Sequence, residues 1–180
     1  MNAEDLKHAL DAYQTDHYEE QVYKRLMLEF LHHHPQDAML RSCSVGHFTA
    51  SAWLLNKTLD QALMMHHAKL GIWIQLGGHC DGHWDALQVA IQEAQEESGI
   101  THITPVRKDL FDLDVHLFPA RAGQPAHYHY DLRFLLKVTS DEAPQQNHES
   151  KELRWITKDP TSVPNTDRSI MRLHQKWCNF

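Results

Sequence analysis

The chain has 180 residues, 42% of them hydrophobic, and a formal net charge of −7. That length accommodates one domain with a real core, and the hydrophobic content excludes a disordered chain. No basic run exceeds two residues, which argues against nucleic acid as the main partner. The 16 histidines make the charge sensitive to mild acid, since free imidazole titrates near pH ~6.5. Cys43, Cys80 and Cys178 are widely spaced without a CxxC pattern, as expected of a reducing, cytoplasmic compartment. The N-terminal stretch lacks an apolar signal region and no apolar run approaches ~18 residues, so neither a signal peptide nor a membrane span is expected.

Residues 4–34 read as helical. Leu6, Leu10 and Tyr13 form a short apolar stripe. Asp16 with Glu19 resembles a capping box opening a second helix, in which Val22, Leu26 and Phe30 recur at spacing four beside Met27 and Leu31. Pro35 stops it. The run His32, His33 and His34 reads as a solvated helix end, where cations suit the dipole, rather than a metal site, because consecutive helical residues point in different directions. Residues 1–44 are taken as a helical extension and 45–180 as the main domain. A homodimer through the extension is an open expectation.

Residues 47–55 alternate Phe48, Ala50, Ala52 and Leu54, a strand pattern. Residues 62–67 read as a second strand, with Met64 and Met65 as core filler. Residues 72–76 form a short strand ending at Gly77 and Gly78. Residues 76–100 then read as a glycine turn, a short polar loop and a helix. That helix starts at Asp85, with Gln88 in capping-box position, and ends at Gly99 as a left-handed cap. Its apolar side is Leu87, Ala90, Ile91 and Ala94.

Residues 104–107 and 110–118 read as strands. The second alternates Phe111, Leu113, Val115 and Leu117 with Asp112, Asp114 and His116, a trio suited to a hard-metal contact or to the wet side of a sheet. Residues 121–125 read as a turn-rich loop, 127–139 as a strand, 141–147 as a loop and 149–156 as a lead into a further strand. Residues 162–165 open a last helix with the apolar stripe Ile170, Leu173 and Trp177.

The helix within 76–100 carries Glu93, Glu96 and Glu97 at i, i+3 and i+4, so all three carboxylates share one face. No Lys or Arg lies between Asp85 and Gly99 to relieve the repulsion. A hard divalent cation, which prefers oxygen ligands, would explain that arrangement. The alternative is a solvated acidic helix face.

Residues 78–100 resemble the Nudix box, G-x5-E-x7-R-E-U-x-E-E-x-G-U, where U is aliphatic. Gly78 opens it, and Glu93, Ala94, Glu96, Glu97, Gly99 and Ile100 match its later positions. The opening GGHCDG, with FDLDVHLFPA, PAHYHYDLRFLL and ESKELRWI, is similar to a Nudix subgroup with a GGHxDG start. Trp84 stands where the box has its first glutamate and Gln92 where it has arginine; Gln92 can hydrogen-bond a carboxylate but not neutralise it.

The resemblance implies an α/β fold, a Nudix-type α/β/α sandwich with a mixed β-sheet, carrying the N-terminal helical extension outside the minimal core. It implies a hydrolase that cleaves the diphosphate linkage of a small nucleoside-diphosphate-linked compound with Mg2+ or Mn2+. Glu93, Glu96 and Glu97 are then the metal and catalytic residues, and Gly78 lets the backbone approach the metal. Glu149 and Glu152 are candidates for an additional base or ligand. His79, His127, His129 and Arg133 are candidate substrate contacts, Arg133 as a phosphate clamp; Arg121 is a weaker one. Two other readings stand beside this: a catalytically weak Nudix domain binding a nucleotide-like ligand as a sensor or interaction module, resting on Trp84 and Gln92, and a prenyl-diphosphate isomerase using Cys80.

Overall fold

The computed structural model describes residues 1–120, 123 and 125–180, so the Arg121 candidate falls outside the described residues. Helix α1 (Ala3–Ala12) is opened by Asn2, whose side chain accepts from the Glu4 and Asp5 amides while Asp5 caps back. Helix α2 (Tyr18–His33) starts after His17 with no side-chain cap. The expected Asp16–Glu19 capping box is absent because the Glu19 carboxylate is drawn to Arg168 and Arg172, the latter at 3.2 Å.

Among the described residues eight strands form one mixed sheet: β1 (Gly46–Leu55), β2 (Gln61–His67), β3 (Trp73–Ile74), β4 (Leu76–His79), β5 (Ile103–Pro105), β6 (Asp112–Phe118), β7 (His127–Val138) and β8 (Ser150–Thr157). β1 lies parallel to β7 and antiparallel to both β2 and β4, while β6 and β5 pair with β7 and β8 pairs with β2. The strand expected over 72–76 is split, and the glycine pair lies inside β4 rather than in a turn. Helix α3 (Ala86–Ser98) follows, with the Asp85 side chain accepting from the Gln88 amide and Gly99 as left-handed cap at φ 70°. Helix α4 (Arg168–Cys178) begins after Asp167, preceded by a single 3-10 turn at Pro160–Ser162, later than the 162–165 start read from the sequence.

β1 is buried along its whole length because helices cover both faces of the sheet. Phe48, Ala50, Ala52 and Leu54 pack in one core with Ala90 and Ala94 of α3, Leu6 and Leu10 of α1, and Met27 and Phe30 of α2. Trp53 and Leu55, pointing the other way, pack in a second core with Ile170, Leu173 and Trp177 of α4. The result is the expected α/β/α sandwich. α1 turns Leu6, Leu10 and Tyr13 into the main core, whereas α2 buries Met27, Phe30 and Leu31 there and leaves Leu26 of the expected stripe 41% exposed. Among the described residues no helix is long and apolar enough to cross a membrane.

Asp112 and Asp114 are not the wet side of the sheet; they are 0% and 5% exposed. Arg172 binds Asp112 at 2.9 Å and Asp114 at 3.1 Å, and Arg133 reaches the same two carboxylates at 3.1 and 3.3 Å. Lys176 joins Asp112 to Glu20, whose carboxylate also accepts from the Leu113 amide. Burial raises the Asp112 carboxyl, but Arg172, Arg133 and Lys176 outweigh it and hold the group below the ordinary value. This network fastens α2, β6, β7 and α4 together.

Candidate active site

Two glycines let α3 approach the sheet edge. Gly78 pairs with Ala50 on the face that α3 covers, and a Cβ there would fall inside the Glu93 carboxylate. Gly77 has φ 150° and would collide with Ser51 if it carried a side chain. The Gly77 amide donates to Glu97 Oε2 at 2.8 Å. So the glycine pair is a strand segment stripped of side chains to seat two carboxylates.

Glu97 is 3% exposed. Burial is the main reason its carboxyl is pushed up to about 8, partly opposed by the Gly77 amide and reinforced by Glu93, Glu149 and Glu96. Glu93 is pushed up to about 7 by burial, then by Glu96 and Glu149. Neither is ion-paired with Lys or Arg among the described residues. Glu96 sits on the exposed rim and accepts from Gln92 Nε2 at 2.8 Å. Gln92 thus bonds a carboxylate while leaving its charge in place. Trp84 packs half-buried against the main core, an apolar contact where the box has an acid.

Glu149 and Glu152 part company. Glu149 lies near enough to Glu93 and Glu97 to raise both carboxyls. Glu152 pairs with Arg154 at 2.7 Å on the surface. Arg133 is not available as a phosphate clamp. It is 3% exposed and held by Asp131 at 2.7 Å, by Asp112 and Asp114, and by Ser169. Its guanidinium, read from sequence as a free fork for phosphate, is saturated by buried carboxylates.

The histidines gather on the opposite face of the sheet. His79 pairs with Thr49 across β4 and β1, and His47 pairs with His129 across β1 and β7. Ring centroids of His79 lie 5.0 Å from those of His47 and His129. His127 and His129 share that face, their Nε2 atoms 3.2 Å apart.

Arg41 and Asp81 carried no sequence signal. Arg41 forms a two-pronged pair with Asp81 at 2.6 Å for each bond, fixing the loop that follows β4. Its charge also lowers the Glu93 carboxyl, which makes it the cation beside the acidic cluster. Cys80 is 1% exposed, and burial pushes its thiol up to about 12. A thiol so protonated and enclosed is a poor nucleophile, which counts against the isomerase reading. A cleft of about 960 Å³ between α1, the start of α3 and the C-terminus is lined by none of the candidate residues.

The arrangement offers one buried carboxylate, Glu97, and one half-buried, Glu93, neither salt-bridged among the described residues, with a third at the rim and a fourth close by, against a strand segment without side chains. Oxygen donors of this kind suit Mg2+ or Mn2+. The unneutralised pair and the side-chain-free cradle at Gly78 fit such an ion.

Solved structures share this architecture. A C. elegans Ap4A hydrolase superposes with a TM-score of 0.60 at 20% identity, over 74% of this chain and 96% of that one. A hydrolase of the NUDIX family from Clostridium perfringens gives 0.54 at 23% identity, over 73% and 95%. A UDP-X diphosphatase gives 0.55 at 17% identity over 99% of this chain and 97% of its own, so that likeness takes in the N-terminal helices too. No curated protein matches the sequence. The family model for the NUDIX domain matches residues 46–173, most of the chain and the whole of the α3 cluster. The chain belongs to the Nudix domain family, whose enzymes hydrolyse phosphoric anhydrides.

Proposed function

We propose that this protein hydrolyses the diphosphate linkage of a small nucleoside-diphosphate-linked compound, using Mg2+ or Mn2+ at the α3 carboxylates. The observation that carries this reading is the pair Glu93 and Glu97, half-buried and buried against Gly78 and Gly77, neither salt-bridged to Lys or Arg among the described residues. The likeness to an Ap4A hydrolase and to a UDP-X diphosphatase supports a substrate of this chemical class.

Glu93 and Glu97 would hold the ion, with Glu96 sharing from the rim. A bound divalent cation offsets the negative phosphates, orients the attacking water and lowers its pKa. Gly78 lets the Glu93 carboxylate rest on the strand backbone, and the Gly77 amide holds Glu97 beside it. Glu149 is our choice of general base, since it belongs to the same electrostatic cluster yet is less buried than Glu97. Arg41 is our choice of phosphate-facing cation. The GGHxDG start makes this a member of that Nudix subgroup in our reading. Its free cysteines suit the cytoplasm.

The test is phosphate or nucleotide release from a panel of nucleoside diphosphate compounds with Mg2+ or Mn2+. Turnover by the wild type and its loss in Glu97→Gln support the proposal. A wild type that turns over nothing in the panel, indistinguishable from the variant, removes it.

A further inference from the structure

On the sheet face away from α3, β1 and β7 start in histidines. The parallel register sets His47 beside His129, and His127 lies two residues earlier on the same face. One ring nitrogen from each of the three lies within 4.8 Å of the other two. The residues are 1%, 5% and 8% exposed.

Hydrogen bonding separates this cluster from ordinary ring packing. Both nitrogens of His47 are buried without a partner among the described residues, although a neutral imidazole brings one donor and one acceptor. His127 Nδ1 lies 2.9 Å from the Pro125 carbonyl oxygen, which can only accept. The proton is therefore on Nδ1, and His127 Nε2 keeps its lone pair facing into the cluster. A backbone carbonyl orienting the far side of an imidazole is the usual support of a metal-binding histidine. That Nε2 is 3.2 Å from His129 Nε2. Two nitrogens each ~2.1 Å from a tetrahedral ion stand ~3.4 Å apart, so the spacing fits. His47, whose ring makes no hydrogen bond among the described residues, supplies the third nitrogen within 4.8 Å of the other two.

We propose that His47, His127 and His129 form a second metal site, for a transition-metal ion of the Zn2+ class, distinct from the carboxylate site on α3. Imidazole nitrogens select such ions, whereas carboxylate oxygens suit Mg2+ and Mn2+. The two donor sets lie on opposite faces: Gly78, which seats Glu93, pairs with Ala50 on the α3 side, and His79 pairs with Thr49 on the histidine side. Burial, reinforced by neighbouring histidines, lowers the His47 and His129 imidazoles far below the ordinary value, so both are neutral ligands at pH 7. The fourth position falls to His79 or to water. His116, hydrogen-bonded to Asp114 at 3.1 Å and edge-on to His129, borders the site with a carboxylate–histidine pair. A bound ion would tie β1 to β7 where the two strands begin.

The experiment uses untagged full-length protein, stripped with a chelator and then titrated with Zn2+, and with Co2+ as a spectroscopic probe. The wild type is expected to take up one tight Zn2+, to rise in Tm on its addition, and to give the visible absorption of tetrahedral Co2+. His129→Asn and His47→Asn should lose the Co2+ spectrum and bind Zn2+ at least about 100-fold more weakly, beyond the roughly 10–100-fold that loss of a supporting partner alone costs. Circular dichroism establishes that they fold, and His127→Asn gives the same readout should either of them not. Glu97→Gln, and His32→Asn with His33→Asn, should bind as the wild type does. No tight Zn2+ in the wild type, unchanged binding in the histidine variants, or loss of Zn2+ in Glu97→Gln would each overturn the proposal.

Discussion

The Glu93 carboxylate rests against the backbone of Gly78, in space that any Cβ at position 78 would occupy. The contact couples strand to helix: β4 is bare where α3 is most acidic. Gly78→Ala should leave the fold largely intact, because the displaced atoms are the far end of a flexible side chain. It should misplace the carboxylate by about 1 Å, enough for a loss of about 10²-fold in kcat/KM. A kinetic comparison at matched metal concentration, with Tm recorded for both proteins, checks this.

The raised carboxyls set a pH dependence with a definite sign. Metal binding requires Glu93 and Glu97 ionised, and their carboxyls are pushed up to about 7 and about 8. Affinity for Mg2+ and turnover should therefore climb as pH rises through 7 to 8. Without metal, these groups hold protons in the folded state that the unfolded chain has released, so their contribution to stability falls as pH rises from the ordinary carboxyl range to about 8. The lowered imidazoles of His47, His79 and His129 work in the opposite direction. They favour the folded state above the unfolded imidazole value, and that contribution is lost as pH falls towards their folded values. Unfolded imidazole is still half protonated at pH ~6.5, so the comparison with Glu97→Gln isolates the glutamate share. In EDTA, Tm should drop between pH 6.5 and 8.5 in the wild type and less in Glu97→Gln, as differential scanning calorimetry can measure.

Arg172→Ala would leave Asp112 and Asp114 buried without one of the cations that compensate them. Breaking a buried ion network from one side costs about 3–5 kcal/mol. At roughly 2–4 °C per kcal/mol for a chain of this size, Tm should fall by about 6–20 °C. Arg133→Ala should behave alike and, if folded, keep its KM. A rise in KM without loss of stability would return Arg133 to the role of phosphate clamp.

Cys80→Ala should retain hydrolytic activity within about twofold, since a buried, protonated thiol takes no part in the chemistry. Steady-state assays on the variant check it, and loss of activity without loss of fold would reopen a covalent role.

What could be read from residues alone followed the range of each signal. Glu93, Glu96 and Glu97 announced themselves because helical spacing is local, and Gly78 because its distance to them is fixed. The strand bearing Asp112 and Asp114 was found, but alternation distinguishes two faces without saying which is wet. The partners that bury this one, Arg133 and Arg172, come from β7 and α4. Alternation puts His127 and His129 of β7 on one strand face, whereas His47 joins them only through parallel pairing of distant strands. Arg41 reaches Asp81 across 40 positions from a loop without regular pattern. The glycine pair reads as a turn in the sequence but lies in β4, because glycine marks close approach as well as reversal, and only the neighbouring Ser51 and Glu93 decide which.

The central claim is that Glu97 holds the ion on which diphosphate hydrolysis depends. Its most direct test is Mg2+- or Mn2+-dependent phosphate release by wild type and Glu97→Gln, with Glu152→Gln as a surface control. The account predicts a loss of at least about 10²-fold in kcat/KM for Glu97→Gln, near 2.7 kcal/mol of transition-state stabilisation, and a near-wild-type rate for Glu152→Gln. Equal, metal-independent rates in wild type and Glu97→Gln would contradict it.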